Sequence, residues 1–534
     1  MVEILQILVL LLVVVAVVAV AAARLEIPPA ILLVLAGVVL ALIPGLPTVE
    51  LAPELVLLVV LPPVIYSSAV AMSWNEFRFN LRLISLLAVG CVVFTTVAVA
   101  AATHWLLGLP WAVGFVLGAI VSPPDAVAPM SILRRMHLPR RILIVLEGEG
   151  LANDATALIL YRFAVAAVSA GAFSFGQAAG TFVAIVVGEL LWGIGVGWLM
   201  LRLRRWVDNP PVEITLSVLT PFLAYWPPEH LGGSGVLATV TAGLYISWNG
   251  LRLISAATRL QGIFFWSFFI YLVEGLVFLA TGLQARTLIV RIEHYPISEL
   301  ALSAAVVTAV VIVARFVWMY PAIYVPRWLS ASLRRKDPAP PWQWPFVLAF
   351  TGVRGIVSLA AALAIPFATA DSHPFPGRDL ILFLTFSVIL VTLVVQGLML
   401  PFVIRPLGLA RVGRRERHAE RVEEQEARRQ AIEAGIARLN QLASERDLPD
   451  EMVRSLHAHQ RDRLKHAERS SDGDAAHKKL TELHCDTELL LIETERQHVN
   501  DLFRSGKLKD EARRRIEREL DLREAQIASR REEE

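Results

Sequence analysis

From residue 1 to about residue 405 the chain is a succession of apolar segments, and this feature limits its fold more than any other. A helix of about 20 apolar residues spans the hydrocarbon of a bilayer. The segments fall at 4–22, 28–44, 51–70, 81–107, 110–136, 141–168, 177–201, 212–228, 234–248, 261–284, 297–326, 343–366 and 378–404, thirteen in all. The spacing therefore predicts an all-α polytopic membrane protein, with the lipid bilayer as its first partner. The opening segment lacks the basic flank of a secretory leader, since its early charge is Glu3. Residues 411–534 are different: they mix Arg and Glu densely, with Leu and Ile at helical spacing. Two regions follow, a transmembrane domain at 1–405 and a soluble helical domain at 411–534.

Basic residues orient the spans. With the N-terminus outside, sixteen Lys and Arg fall in the loops on the cytoplasmic side, among them Arg134, Arg135, Arg140 and Arg141. Three fall opposite: Arg286, Arg291 and Arg378. This is the positive-inside bias, and it places the charged tail in the cytoplasm. Cys91 and Cys485 are the two cysteines, so neither a disulfide framework nor a CxxC metal or redox site is expected.

Against that background the charges of "EGEGLANDATALILYR" stand out. Glu147, Glu149, Asp154 and Arg162 interrupt an apolar segment. Each ionised side chain at a helix centre costs about 3 kcal/mol on insertion scales. Asp154 lies about 20 Å from the start of its segment, near mid-membrane. Glu147 is two turns earlier on a similar face and suits a cytoplasmic funnel. The preceding segment reads "GAIVSPPDAVAPM". Pro123 and Pro124 remove backbone donors and should unwind it next to Asp125. Unwound backbone at this depth must be buried in protein or reached by water. A second break is expected at "FTGVRGIVS", where Gly352 and Gly355 flank Arg354. Paired broken segments point to a transport site at a repeat interface. They are the fifth and twelfth segments, as two six-helix repeats with one helix between them require.

Oxygen ligands without His or Cys suit a hard cation such as Na⁺. A carboxylate shielded from water holds its proton more tightly than a free aspartate, with its ordinary pKa of about 3.9. Such a group can carry either a proton or a cation, which is the basis of exchange. Asn153 offers an amide that does not titrate, and Arg354 keeps its charge. The expected exchange is therefore one proton per monovalent cation, with Glu149 and Asp125 the acids that could alter that ratio. Some residues have two readings. Glu149 and Arg354 form a structural ion pair, or Glu149 helps hold the ion. Asp125 caps a half-helix or ligates. Ser122 and Thr156 supply supporting oxygens or simply pack.

At these residues the chain resembles bacterial sodium/proton antiporters, the sodium/proton exchanger branch of the cation/proton antiporter superfamily, in the long form with a cytoplasmic helical tail. The likeness is carried by "SPPDAVA", "LEGEGLANDATALILYR", "SGVLATVTAGLYIS", "TGVRGIVSLAAALAIP" and the tail's "RRIERELDLREAQI". It implies that Asp154 carries the ion and proton, that Asn153 marks the electroneutral class, and that Asp125 belongs to the unwound crossover. It implies that Glu149 lies near the ion and pairs with Arg354 in some members. It also implies a homodimer, an inverted six-helix repeat and elevator-like alternating access, in pH and sodium homeostasis. The site expected from the sequence is thus Asp154, Asn153, Asp125 and Glu149, with Na⁺ at Asp154, Asp125 and Glu149, and with Pro124, Ser122 and Thr156 as supporting oxygens. Ala126 and Gly150 depart from the family's common Pro and Ser, which leaves K⁺ and Li⁺ open beside Na⁺.

No cofactor is expected beyond the transported ions, and the chain reads as a transporter of the inner (plasma) membrane and not an enzyme. An intramembrane aspartyl protease would explain two aspartates but not Arg354 or the second break. A passive channel would prefer a continuous pore. Seven histidines lie in the tail, which reads as solvated helix faces, and "SSDGDAAH" at 470–477 reads as a break between helices. "LARVGRRER" suits anionic lipid heads, and no aromatic platform marks a nucleic-acid site.

Overall fold

The computed structural model describes residues 2–44, 51–170, 175–207, 209–250, 253–369, 373–446, 449–469 and 475–533. Its contacts divide it into two units, Met1–Arg414 and Arg415–Glu534. The first unit holds α1 (Val2–Leu25), α2 (Pro29–Ala41), α3 (Pro53–Ala71) and α4 (Trp74–Leu107). Then come α5 (Trp111–Val121), α6 (Val127–Leu133), α7 (Arg140–Ala170), α8 (Phe175–Arg204), α9 (Pro210–His230) and α10 (Val236–Gly250). It closes with α11 (Ala256–Leu283), α12 (Ile297–Leu329), α13 (Gln343–Phe350), α14 (Ile356–Leu363) and α15 (Arg378–Leu407). Among the described residues the β pairing is a single bridge between Ala368 and Pro374.

Each of the thirteen predicted segments is occupied by helix. Among the described residues, eight helices are long and apolar enough to cross a bilayer by length and composition alone. The others fall short for local reasons. α2 has 13 residues and α10 has 15, while α9 carries Pro221, Pro227 and Pro228 inside it. The fifth crossing is split into α5 and α6 and the twelfth into α13 and α14. Elements seven crossings apart run in opposite directions, so the two broken crossings are antiparallel equivalents in an inverted repeat. A buried cluster ties them to their neighbours: Leu117 and Ile120 of α5, Leu151, Ala155 and Leu158 of α7, Ala361 and Ala362 of α14, and Leu384 of α15.

One boundary moved. The fourth segment was predicted from residue 81, but α4 begins at Trp74. Its first turns are amphipathic. Phe77, Leu83 and Ile84 are buried, while Glu76 pairs with Arg140 at 2.7 Å. Hydropathy missed this turn because its charges are satisfied laterally.

Asp337, in the loop before α13, joins three elements. It accepts from Arg82 of α4 at 3.0 Å, from Arg141 of α7 at 2.8 and 3.1 Å, and from Arg327 of α12 at 2.7 Å. Burial opposes its charge, but the Arg141 and Arg327 guanidiniums prevail and hold the carboxyl down at about 2. Glu189 of α8 does similar work elsewhere. Buried, it accepts backbone N–H groups of Ser234 at 2.6 Å, Gly235 at 3.1 Å and Leu237 at 3.0 Å, and so caps α10 from a neighbouring helix.

The tail holds α16 (Leu409–Arg446), α17 (Asp450–Arg469), α18 (Ala475–Arg504) and α19 (Asp510–Glu533). The break predicted at 470–477 lies mostly outside the described residues. α18 and α19 form a hairpin about Gly506, whose φ is +73°. Cys485, Ile492, Leu520 and Ile527 make its seam, and Arg496 bridges to Asp521 and Glu524 at 2.8 and 2.7 Å. Both cysteines are buried.

Candidate functional site

The two breaks lie against each other. After Val121 the chain leaves helix at Ser122, Pro123, Pro124 and Asp125, because two successive prolines cannot donate along a helix. After Phe350 it leaves helix from Thr351 to Gly355. The Asp125 N–H donates to the Val353 carbonyl at 2.7 Å and locks one break to the other.

Four half-helix ends meet here, and their charges are matched. α5 and α13 point C-terminal carbonyls at the crossing, the negative ends of their dipoles. The buried Arg354 guanidinium lies among them. Its Nε donates to the Val121 carbonyl at 2.9 Å, its Nη2 to the Ser122 carbonyl at 3.4 Å, and its Nη1 to the Gly352 carbonyl. Its backbone N–H donates to Thr392 Oγ1 of α15 at 3.0 Å. α6 and α14 present the opposite, positive ends, and Asp125 lies between them. Its Oδ1 accepts the Val127 N–H at 2.9 Å. Its Oδ2 side rests against Gly355, where any Cβ would collide with the carboxylate. Asp125 is thus a cap, one of its two sequence readings, and the other oxygen remains uncommitted.

α7 runs beside this crossing. Asn153 is fully buried and its Nδ2 donates to the Pro124 carbonyl at 2.7 Å. Its Oδ1 is buried with no hydrogen-bond partner. Asp154 follows, half-buried, with no hydrogen bond or ion pair among the described residues. The Asn153–Pro124 hydrogen bond holds this turn of α7 against the residue that precedes Asp125. Two carboxylates and an unpaired amide oxygen therefore face a common region bounded by unwound backbone, an arrangement suited to a hard monovalent cation. Ser122 is buried and donates its hydroxyl to the Ala119 carbonyl at 3.1 Å, and Thr156 is buried about one turn beyond Asn153 on α7. Glu147 is half-exposed and pairs with Arg134 at 2.8 Å. Among the described residues no three of His, Cys, Asp and Glu group as a metal site.

One sequence expectation is overturned. Glu149 does not pair with Arg354. Its partner is Arg315 of α12, whose Nη1 and Nη2 meet Oε1 and Oε2 at 2.6 and 2.8 Å. Both side chains are 1% exposed. Arg315 Nε also donates to the Leu348 carbonyl at 3.1 Å, near the end of α13. The fork takes one lone pair on each Glu149 oxygen, which makes Arg315, and not Arg354, the ionic partner of Glu149. Arg354 lies where carbonyls outnumber acids and is satisfied by them. Arg315 was visible in the sequence as a lone cation in "VIVARFVWMYP", yet nothing local named its partner. Thr392 was missed as well, being one hydroxyl in an apolar run. Arg162 pairs with Glu229 and donates to the Gly233 carbonyl at 2.5 Å, fastening the α9–α10 loop.

With this geometry in view, the comparisons decide the family. Residues 8–405 match the model of the transmembrane sodium/hydrogen exchanger. The chain belongs to the sodium/hydrogen exchanger family. It is similar to an uncharacterised Na⁺/H⁺ exchanger of Mycobacterium tuberculosis, 35% identical over 512 residues, covering 94% of this chain and 92% of that one. It is 36% identical over 391 residues to a sodium, potassium, lithium and rubidium/H⁺ antiporter of Bacillus subtilis, covering 70% of this chain and 57% of that one. With the Na⁺/H⁺ antiporter ApNhaP of Aphanothece halophytica it shares 32% identity over 425 residues, 78% of this chain and 76% of that one. The solved sodium proton antiporter MjNhaP1 of Methanocaldococcus jannaschii has the same fold. The TM-score is 0.60 at 18% identity, over 76% of this chain and 98% of that one. The inverted repeat with two broken crossings is thus the exchanger fold.

Proposed function

We propose that this exchanger-family protein is a secondary active transporter that moves one monovalent cation, Na⁺ foremost, against one proton by alternating access. The observation that carries the reading is Asp154. It is an unpaired carboxylate in mid-helix, next to the unpartnered Asn153 oxygen and across from Asp125. An acid at this depth with no counter-charge is stable when it holds a proton or a cation, and both at once would leave an excess charge. Competition for that group couples the two fluxes. Asp125 Oδ2, Asn153 Oδ1 and the second lone pair of the Pro124 carbonyl supply the remaining ligands.

The one-for-one ratio is supported by the neighbours of Asp154: Asn153 is an amide, Arg354 is held by carbonyls, and Glu149 is paired with Arg315. Asp125 has one oxygen on the first turn of α6. The protein is proposed to act as a homodimer in the plasma membrane, N-terminus outside and tail in the cytoplasm, with elevator-like motion of the broken helices, in pH and sodium homeostasis. The tail is proposed as a regulatory or interaction domain.

A broader cation range is a second reading. The Bacillus subtilis relative takes its name from four alkali cations. In this chain a Cβ on Gly150 would lie 3.1 Å from that of Ala126, so two small residues face each other beside the site. The test is purified protein in liposomes with an internal pH dye and added Na⁺, K⁺ or Li⁺, with membrane potential clamped or free. The proposal predicts cation-driven proton movement, insensitive to voltage and lost in Asp154→Asn. Proton movement driven by none of the cations would refute antiport, and a strong voltage response would refute the ratio.

A further inference from the structure

Interrupting a helix strips backbone groups of their partners, and when buried they must find others. At the second break one such pair is the Phe350 carbonyl and the Arg354 N–H. An unbroken helix would join them, since they are four residues apart. Here each is met separately. The Phe350 carbonyl accepts from Nε2 of Gln396, and the Arg354 N–H donates to Thr392 Oγ1 at 3.0 Å. Both partners come from α15, and they too are four residues apart. Side chains of α15 thus stand in for the two halves of the bond that the break removes.

The local shape of α15 suits this role. Residues Val391–Gln396 form a π-helical turn within the helix. Such turns appear mostly as single insertions and are frequent at functional sites. Thr392 and Gln396 are both buried. The Gln396 amide is only half used, because its Oε1 is buried with no hydrogen-bond partner. Packing alone would favour an apolar side chain of the same shape there.

The inverted repeat contains a counterpart. α7 and α15 are the sixth and thirteenth crossings, again seven apart. On α7, Asn153 Nδ2 donates to the Pro124 carbonyl of the first break at 2.7 Å, and its Oδ1 has no partner. On α15, Gln396 treats the second break the same way. Each repeat holds its own break with a carboxamide from the crossing that follows.

The hold on the second break reaches the ion site through Thr351, Gly352 and Val353, which lie between the two clamped groups. The Val353 carbonyl accepts the Asp125 N–H at 2.7 Å. The place of Val353 therefore fixes the place of Asp125.

We propose that Gln396, together with Thr392, is a positioning residue that keeps the second break unwound and so seats Asp125 for the cation. The inference rests on the reading of Asp125 as an ion ligand. Without either clamp, the Phe350 carbonyl and the Arg354 N–H return to each other and the turn rewinds. Val353 then draws Asp125 away from its place beside Asn153. The backbone stays satisfied, so the loss falls on cation affinity and not on the fold.

The test measures Na⁺-driven proton movement in dye-loaded liposomes at one pH, with the melting temperature of each protein in detergent. It compares wild type, Gln396→Met, Thr392→Val, Thr392→Ser and Asp154→Asn. Gln396→Met keeps the length of the side chain and removes the amide. It is expected to raise the apparent KM for Na⁺ about tenfold, the scale of one hydrogen bond, with a smaller change in maximal rate and a melting temperature near that of wild type. Thr392→Val should act in the same direction, and it carries the test if Gln396→Met does not fold. Thr392→Ser keeps the hydroxyl and should bring KM back toward wild type. A wild-type KM in Gln396→Met, or in Thr392→Val where that variant carries the test, overturns the proposal. So does a lower melting temperature and maximal rate at unchanged KM, which is what a merely structural role would give. A KM in Thr392→Ser as high as that in Thr392→Val also overturns it. Asp154→Asn keeps the two readings apart. Cation-driven proton movement in that variant defeats the antiport reading, whereas its silence beside a wild-type KM in the clamp variants defeats the clamp alone.

Discussion

Arg315→Met tests whether the Glu149–Arg315 fork is structural. The pair is 1% exposed on both sides and joined at 2.6 and 2.8 Å. Removing one partner of such a pair costs about 3–5 kcal/mol, because the remaining charge is buried alone. The two single variants are not equivalent. Without Arg315, Glu149 can escape by taking a proton. Raising a carboxyl from about 4.3 to pH 7 costs about 3.7 kcal/mol at 1.36 kcal/mol per unit, and this caps the loss. Without Glu149, Arg315 cannot shed its proton and finds only the Leu348 carbonyl. Glu149→Met should therefore destabilise more than Arg315→Met, and the double Met variant should recover part of the loss. Thermal unfolding in detergent should show single-variant losses on the order of 5 °C or more, at roughly 2 °C per kcal/mol. Liposome exchange should survive in whichever variants remain folded, the double variant included. A stable Glu149→Met protein with a raised KM for Na⁺ would refute the structural reading and return Glu149 to the ion.

Gly355→Ala places a Cβ into the Asp125 carboxylate and should abolish exchange while leaving membrane insertion intact, as measured by expression and flux. Arg354→Lys keeps the charge but loses the planar fork that reaches Val121, Ser122 and Gly352, so exchange should fall at least about tenfold at equal expression. Asp337→Asn removes the acid shared by Arg82, Arg141 and Arg327 and should cost about 3 kcal/mol, read as a lower melting temperature. Because the folded Asp337 carboxyl is held at about 2, below the ordinary aspartate range, its contribution is full above that range. It is lost as pH falls through about 2, so the wild-type advantage over Asp337→Asn should vanish in strong acid.

The fold was legible because hydropathy and helix length act locally. Each apolar run finds helix in the structure, and the breaks announce themselves through Pro123 and Pro124 and through Gly352 and Gly355. The acid at Asp154 was legible for the same reason, being costly wherever its helix packs. What stayed hidden was pairing across long separations. Arg315 is 166 residues from Glu149, and two arginines competed for one acid. The choice depended on where α13 ends, which leaves Arg354 among carbonyls. The role of Glu189 as a cap was equally hidden, because the helix it caps begins 47 residues later, at Val236. The polar start of α4 was invisible to hydropathy since its charges are met by Arg140 and Asp337 on other elements.

Proton release on sodium binding bears most directly on the central claim. Purified protein in weakly buffered detergent near neutral pH would be titrated with Na⁺ while a pH electrode counts protons and calorimetry counts bound ions. The account predicts up to one proton released per Na⁺ bound, rising toward one as the medium becomes more acidic, and neither saturable binding nor release in Asp154→Asn. Saturable Na⁺ binding with no proton released across that pH range, or release that persists in Asp154→Asn, would contradict it.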